Sequence, residues 1–138
     1  MAKPKKQSSK TYEPKVKVLE TPFADMKVGQ RMVIGTPDIL RQLVATLPKG
    51  RVISLKELRQ LLAQHLDAEV ACPVTTSMYL RIAVEAAFAT SNRQTLTQDF
   101  PFWRAIEAES PLFKKLDSTV QEYILKMQME EQRARASA

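Results

Sequence analysis

Leu47-Pro48-Lys49-Gly50-Arg51-Val52-Ile53-Ser54-Leu55-Lys56-Glu57, with the two helical patterns that follow it to Phe88, decides the fold of this chain. Pro48-Lys49-Gly50 stops a preceding helix. Arg51-Val52-Ile53 is β-branched and short, a small strand at most. Ser54 and Glu57 have capping-box spacing: the serine hydroxyl and the glutamate carboxylate can each satisfy an exposed backbone N–H. Leu55, Leu58, Leu61, Leu62 and Leu66 then give one apolar face, with Lys56, Arg59 and Gln60 turned outward. That helix should end near His65-Leu66. Asp67 to Cys72 reads as a turn, longer than the roughly three or four residues of a minimal helix-turn-helix. Pro73 opens the next helix, or its cap lies at Thr75 or Thr76. Met78, Leu80, Ile82, Ala83, Ala86 and Ala87 carry the second pattern to about Ala89. Two capped helices in series predict a helix-turn-helix.

Upstream, Thr36-Pro37-Asp38 is another helix start: a capping hydroxyl, a proline suited to the first helical position, and an acid for the positive helix end. Ile39, Leu40, Leu43, Val44 and Leu47 form its apolar face. Residues 22–35, with the apolar run Met32-Val33-Ile34, read as a connector lying on the core. Residues 1–21 read as a disordered basic tail, although the alternation from Thr11 to Leu19 would let that part dock as an extended arm. Downstream, Thr90 to Asp99 is polar and reads as a loop. Phe100-Pro101-Phe102-Trp103-Arg104-Ala105-Ile106 is an aromatic knot holding the one tryptophan. Ser110-Pro111 begins a turn or short helix. Asp117-Ser118 caps a last helix with Val120, Tyr123, Ile124 and Met127 on its apolar face, and residues 131–138 read as a frayed end. The expected fold is mainly α, a winged-helix-like helix-turn-helix domain over 22–130 with at most a small β element.

The totals exclude several function classes. At 138 residues the chain suits one domain with a real core. One cysteine, Cys72, rules out an internal disulfide and fits a reducing, cytoplasmic setting. No stretch approaches the roughly 18 apolar residues of a membrane helix, and the lysine-rich start lacks the apolar core of a signal peptide. The net charge of +6 sits mostly in residues 1–20, where six lysines face two glutamates. The basic character therefore belongs to the tail, and the body is nearly neutral. His65 is the lone histidine, and no Cys/His/Asp group has metal-ligand spacing. Three glycines leave no glycine-rich phosphate loop. Neither a metal nor a cofactor is expected.

Several of these stretches resemble a known family. Leu47 to Ser54 resembles the Ile-Pro-x-Gly-x-Val-x-Ser/Thr-Tyr opening of the DNA-binding domain of O6-alkylguanine-DNA alkyltransferases, and Leu58 with Leu61-Leu62-Ala63 fits its first helix. Pro101 to Ile106 resembles the family's Pro-Cys-His-Arg-Val-Ile active-site segment. Glu122 to Glu130 resembles its closing helix. The resemblance covers about residues 30–130 and is nearest to divergent members whose recognition helix begins Ala-Cys-Pro-x-Thr-Thr, as Ala71 to Thr76 does. In the enzymes a thiolate beside a histidine takes the alkyl group from a flipped guanine, which requires a low-pKa thiol and a base. Here Phe102 and Trp103 stand at those two positions, and of that trio Arg104 is kept. Leu55 replaces the tyrosine that helps swing the base out, and Thr75-Thr76-Ser77 occupies the region of the arginine that fills its place. Phe113 to Ser118 replaces the glycines before the last helix. The resemblance thus implies a DNA-binding fold without alkyl transfer, whose base flipping has lost its usual helpers.

The residues themselves leave alternatives open. Thr75, Thr76 and Ser77 could donate to phosphate with the backbone N–H groups at a helix start, or simply cap. Arg81, Arg93, Lys49 and Arg51 could contact phosphate or be scattered solvated charges. Ser54 belongs to the same candidate DNA surface through the family's motif. Phe100, Phe102 and Trp103 could line a pocket for a base or be core. Arg104 could salt-bridge internally or touch a ligand. Cys72 could be a reactive thiol at a helix N-terminus or a small buried turn residue. The leading expectation is a non-catalytic, alkyltransferase-like DNA-binding protein serving damage recognition or regulation. The alternative is a protein-interaction module on the same fold. Two features separate them: the charge of the face around Thr75, and whether Phe102 and Trp103 line an open pocket.

Overall fold

In the computed structural model, which describes residues 12–137, five helix starts are each held by a capping side chain: Thr36, Ser54, Cys72, Asn92 and Ser110. Helix α1, Pro37–Ala45, begins where Thr36 Oγ1 accepts from the Ile39 N–H at 3.0 Å. Helix α2, Leu55–His65, carries the complete capping box: Ser54 Oγ accepts from the Glu57 N–H at 3.1 Å, and Glu57 Oε1 accepts from the Ser54 N–H at 2.9 Å. Helix α3, Pro73–Thr90, starts at Cys72, whose Sγ accepts from the Thr75 N–H at 3.5 Å. The cap is therefore the cysteine, and neither threonine serves.

The small β element expected is present, but it lies elsewhere than at Arg51-Val52-Ile53. Strands β1 (Lys15–Val18), β2 (Arg31–Ile34) and β3 (Val70–Ala71) form one sheet in that order. β1 runs antiparallel to β2, with Val16 opposite Val33 and Lys17 opposite Met32, and β3 runs parallel to β2. The run expected as a connector, Met32-Val33-Ile34, is thus the central strand. Period-two burial explains it: Val33 faces the main core, while Met32 joins a smaller cluster with Leu19, Met26 and Cys72. Arg51-Val52-Ile53 forms no strand. Its backbone instead makes one long-range bond, from the Ile53 N–H to the Arg104 carbonyl at 2.8 Å.

Beyond α3, the stretch expected as a loop contains helix α4, Arg93–Asp99. Asn92 caps it by accepting from the Thr95 N–H at 2.8 Å, and its one buried side chain, Leu96, anchors it. A 3₁₀ turn at Phe102–Arg104, helix α5 (Pro111–Lys115) and helix α6 (Ser118–Ser137) complete the chain. The protein is mainly α with a small sheet. Among the described residues, no helix is long and apolar enough to cross a membrane.

Two expectations about the chain ends need correction. The basic tail expected over 1–21 lies outside the described residues as far as residue 11, but Lys15–Val18 within it form β1. The extended-arm reading of Thr11 to Leu19 describes that part better. Where a fray was expected over 131–138, α6 continues to Ser137 and buries Glu131, and Ala138 lies outside the described residues. The core gathers Leu40 and Val44 of α1, Leu58 and Leu62 of α2, Leu80 and Val84 of α3, the 3₁₀ aromatics and Ile124 of α6.

Candidate functional site

α3 is amphipathic in an unusual sense. Thr76, Leu80, Ala83, Val84 and Ala87 point into the protein. On the opposite face Val74, Met78 and Ile82 succeed one another every turn, exposed by 59, 46 and 36 %. The helix carries one basic and one acidic side chain, Arg81 and Glu85. They pair one turn apart, Arg81 Nε donating to Glu85 Oε2 at 3.0 Å, so their charges cancel. The outward face is therefore apolar and neutral.

Two grooves border this face. One, of about 310 Å³, is lined by Ser54, Leu55, Lys56, Ser77, Ile106, Glu107 and Leu112, among others. The other, of about 400 Å³, is lined by Pro73, Val74, Ser77, Met78, Arg81, Leu112 and Lys115. Ser77 and Leu112 belong to both, so the grooves adjoin. Lys56 and Lys115 make no ion pair among the described residues. Tyr12 packs edge-on against Tyr79 of α3, with ring centres 5.2 Å apart. This contact seats the start of the described chain on the helix.

The residues expected to contact DNA are only partly brought together. Ser54, Ser77 and Arg81 reach the α3 grooves. The hydroxyl of Ser54 is already spent on its cap. Thr76 is buried and donates to the Cys72 carbonyl at 2.6 Å, and the Thr75 hydroxyl oxygen is also buried. Neither threonine hydroxyl is turned to solvent. Lys49 borders the end of α6 beside Glu131, Ala134 and Arg135, and Arg51 pairs with Glu57 at 3.4 Å. Arg93 lies over Phe88 at 3.9 Å and over Tyr123 at 5.0 Å, a cation–π contact with the aromatic core. Arg59, expected to face outward, forks onto Asp25 at 2.9 and 3.1 Å and donates to the Ala71 carbonyl. That guanidinium holds the Asp25 carboxyl below its usual range.

The segment resembling the alkyltransferase active site is packed core. Phe100, Phe102 and Trp103 are fully buried. Trp103 meets Tyr123 edge-on with ring centres 5.6 Å apart, and Phe102 meets Phe100 edge-on at 5.5 Å. Arg104 is buried as well. Its Nη2 donates to Glu131 Oε2 at 2.8 Å and its Nη1 to the Leu47 carbonyl at 3.0 Å. Glu131 also accepts from Trp103 Nε1 at 2.8 Å and from the Gly50 N–H at 2.9 Å. Burial alone would raise the Glu131 carboxyl, but these donors outweigh it and hold it below the ordinary glutamate range. The Trp103-Arg104 segment, the Leu47–Gly50 turn and α6 are thus tied through one carboxylate.

Sequence reasoning missed Glu131. The signal was its phase: it falls on the helical stripe that runs through Ile124 and Met127. Cys72 is buried and accepts a capping bond. Among the described residues no three His, Cys, Asp or Glu side chains cluster to hold a metal. What the arrangement offers is an apolar helix face bordered by two grooves, with Lys56 and Lys115 among their lining residues. Comparison with protein-family models, curated proteins and solved structures gave no match for this chain.

Proposed function

We propose that this chain is a non-catalytic docking module that uses the outward face of α3 to hold an apolar segment of a partner protein. The observation that carries this reading is the Val74–Met78–Ile82 stripe on a helix whose two charges cancel. A helix that lies against DNA needs basic or hydrogen-bonding side chains for phosphates and base edges. This one presents aliphatic and thioether groups, of the kind that fill helix-in-groove interfaces. Lys56 shares its groove with Glu107, while Lys115 lines the other groove beside a paired Arg81 and favours a partner that sets an acidic residue next to its apolar anchors. The filled site at Phe102 and Trp103 supports the absence of base chemistry.

Selection of displayed helical peptides against the native protein tests this, with Met78→Glu as the counter-selection target. Peptides carrying apolar anchors and acidic flanks, bound by the native protein and lost in the variant, are expected. Enrichment insensitive to Met78→Glu would remove α3 as the docking face.

The second reading is the alkyltransferase-like DNA-binding protein, and one observation favours it. Tyr12 packs on Tyr79 of α3, and the sequence just before Tyr12 carries Lys3, Lys5, Lys6 and Lys10. A duplex titration separates the two: binding at low salt that falls steeply as salt rises, lost when those lysines are replaced, would establish the DNA reading.

A further inference from the structure

The sheet ends in an edge that nothing among the described residues covers. β1 is exposed at all four positions, Lys15 to Val18, with Val16 and Val18 exposed by 52 and 56 %. Leu19, next in line, donates to the Gln30 carbonyl at 3.0 Å and accepts from the Gly29 N–H at 2.9 Å, so its backbone points toward β2. Alternation along an antiparallel ladder then turns Lys15 and Lys17 toward β2 as well. It leaves the N–H and C=O groups of Val16 and Val18 on the outer edge. The side chains alternate independently: Val16 and Val18 share the face of Val33, and Lys15 and Lys17 share the face of Met32.

We propose that β1 accepts an extended segment of another protein as a fourth strand, one in which acidic and apolar residues alternate. The backbone groups of Val16 and Val18 supply the hydrogen bonds. The lysines on one face call for acidic cross-strand neighbours, and the valines on the other call for apolar ones. Charge decides against a second copy of this chain. Antiparallel pairing of β1 with itself sets lysines opposite lysines, the arrangement by which edge strands avoid self-association. This site is separate from the α3 face and does not depend on its role.

The test is amide hydrogen exchange with the full chain and three probes: a capped nonapeptide alternating glutamate and valine, its lysine–valine counterpart, and a short DNA duplex. The glutamate–valine peptide at millimolar concentration is expected to slow exchange at Val16 and Val18 by about tenfold, leaving Lys17, already paired, unchanged. Val18→Pro removes one outward donor at an edge position where proline is tolerated, and should abolish the protection. Lys15→Glu with Lys17→Glu keeps the edge and should switch the preference to the lysine–valine peptide. No protection at Val16 and Val18, equal protection by both peptides, or protection by the duplex alone would each overturn the proposal.

Discussion

Replacing Glu131 by alanine should destabilise this protein more than any surface change. Glu131 is 4 % exposed, and its carboxylate answers three donors from two parts of the chain: the Gly50 N–H, and the Trp103 indole and Arg104 guanidinium beside each other. Without it a buried cation keeps one partner, the Leu47 carbonyl, and two further donors lose theirs. Breaking a buried ion pair from one side costs about 3–5 kcal/mol. The total stability of a domain is on the order of 5–15 kcal/mol. With a urea slope of roughly 2 kcal/mol per molar, the unfolding midpoint should fall by about 2 M. The assay is equilibrium urea unfolding followed by far-ultraviolet circular dichroism. Trp103 fluorescence serves as a second probe, because it is the lone tryptophan and touches the mutated site. The double variant Arg104→Met with Glu131→Leu removes both charges and should recover much of the loss. A single variant within about 1 kcal/mol of the wild type would refute the reasoning, since it would mean that Arg104 finds water on its own.

Other expectations follow from the same geometry. Glu131 is held below its ordinary range, so its contribution is present above the unfolded glutamate range and lost as pH falls through the lower folded value; an acid titration of stability should be shallower in Glu131→Gln than in the wild type. Ser54→Ala removes half of the capping box of α2 and should cost about 1 kcal/mol, read as a fall in the thermal midpoint. Gly50 has φ +88°, and a Cβ there would meet the Arg135 Cδ at 3.3 Å; Gly50→Ala should therefore cost about 1–2 kcal/mol by urea unfolding. Buried Cys72 should react with a thiol reagent only as fast as the protein opens, and rapid labelling of the folded state would revive the reactive-thiol alternative.

The local signals in this sequence were legible because they act within a few residues. Thr36, Ser54 with Glu57, and the aliphatic periods of α1 and α2 each specify a helix by contacts no further than one turn away. α4 was hidden because it is polar except for Leu96, so no period marked it. The sheet was hidden because β3 is two residues long and takes its meaning from β2, some forty positions earlier. The site failed for a related reason. Thr75-Thr76-Ser77 looks like a phosphate grip in one dimension, but the turn of the helix carries Thr76 inward. One charge was misread in the same way: Arg59 looks like a surface cation until Asp25 is placed beside it, whereas the internal salt bridge left open for Arg104 is the one it makes with Glu131. What the sequence did show was the neutrality of the body, and α3 is where that neutrality is concentrated.

The turn at Gly50 has a bearing on how the protein is made. Its N–H is held by Glu131, and its carbonyl accepts from Arg135 at 3.1 Å and from Gln132 at 3.4 Å, partners more than eighty positions later in the chain. A growing polypeptide emerges from the ribosome in order, so Arg104 and Trp103 appear well before the carboxylate that satisfies them. Until α6 is out, the nascent protein must either keep the aromatic segment in water or bury a cation with no counter-charge. The final turns of α6 thus act as a late fastener: the core cannot close until they have been made.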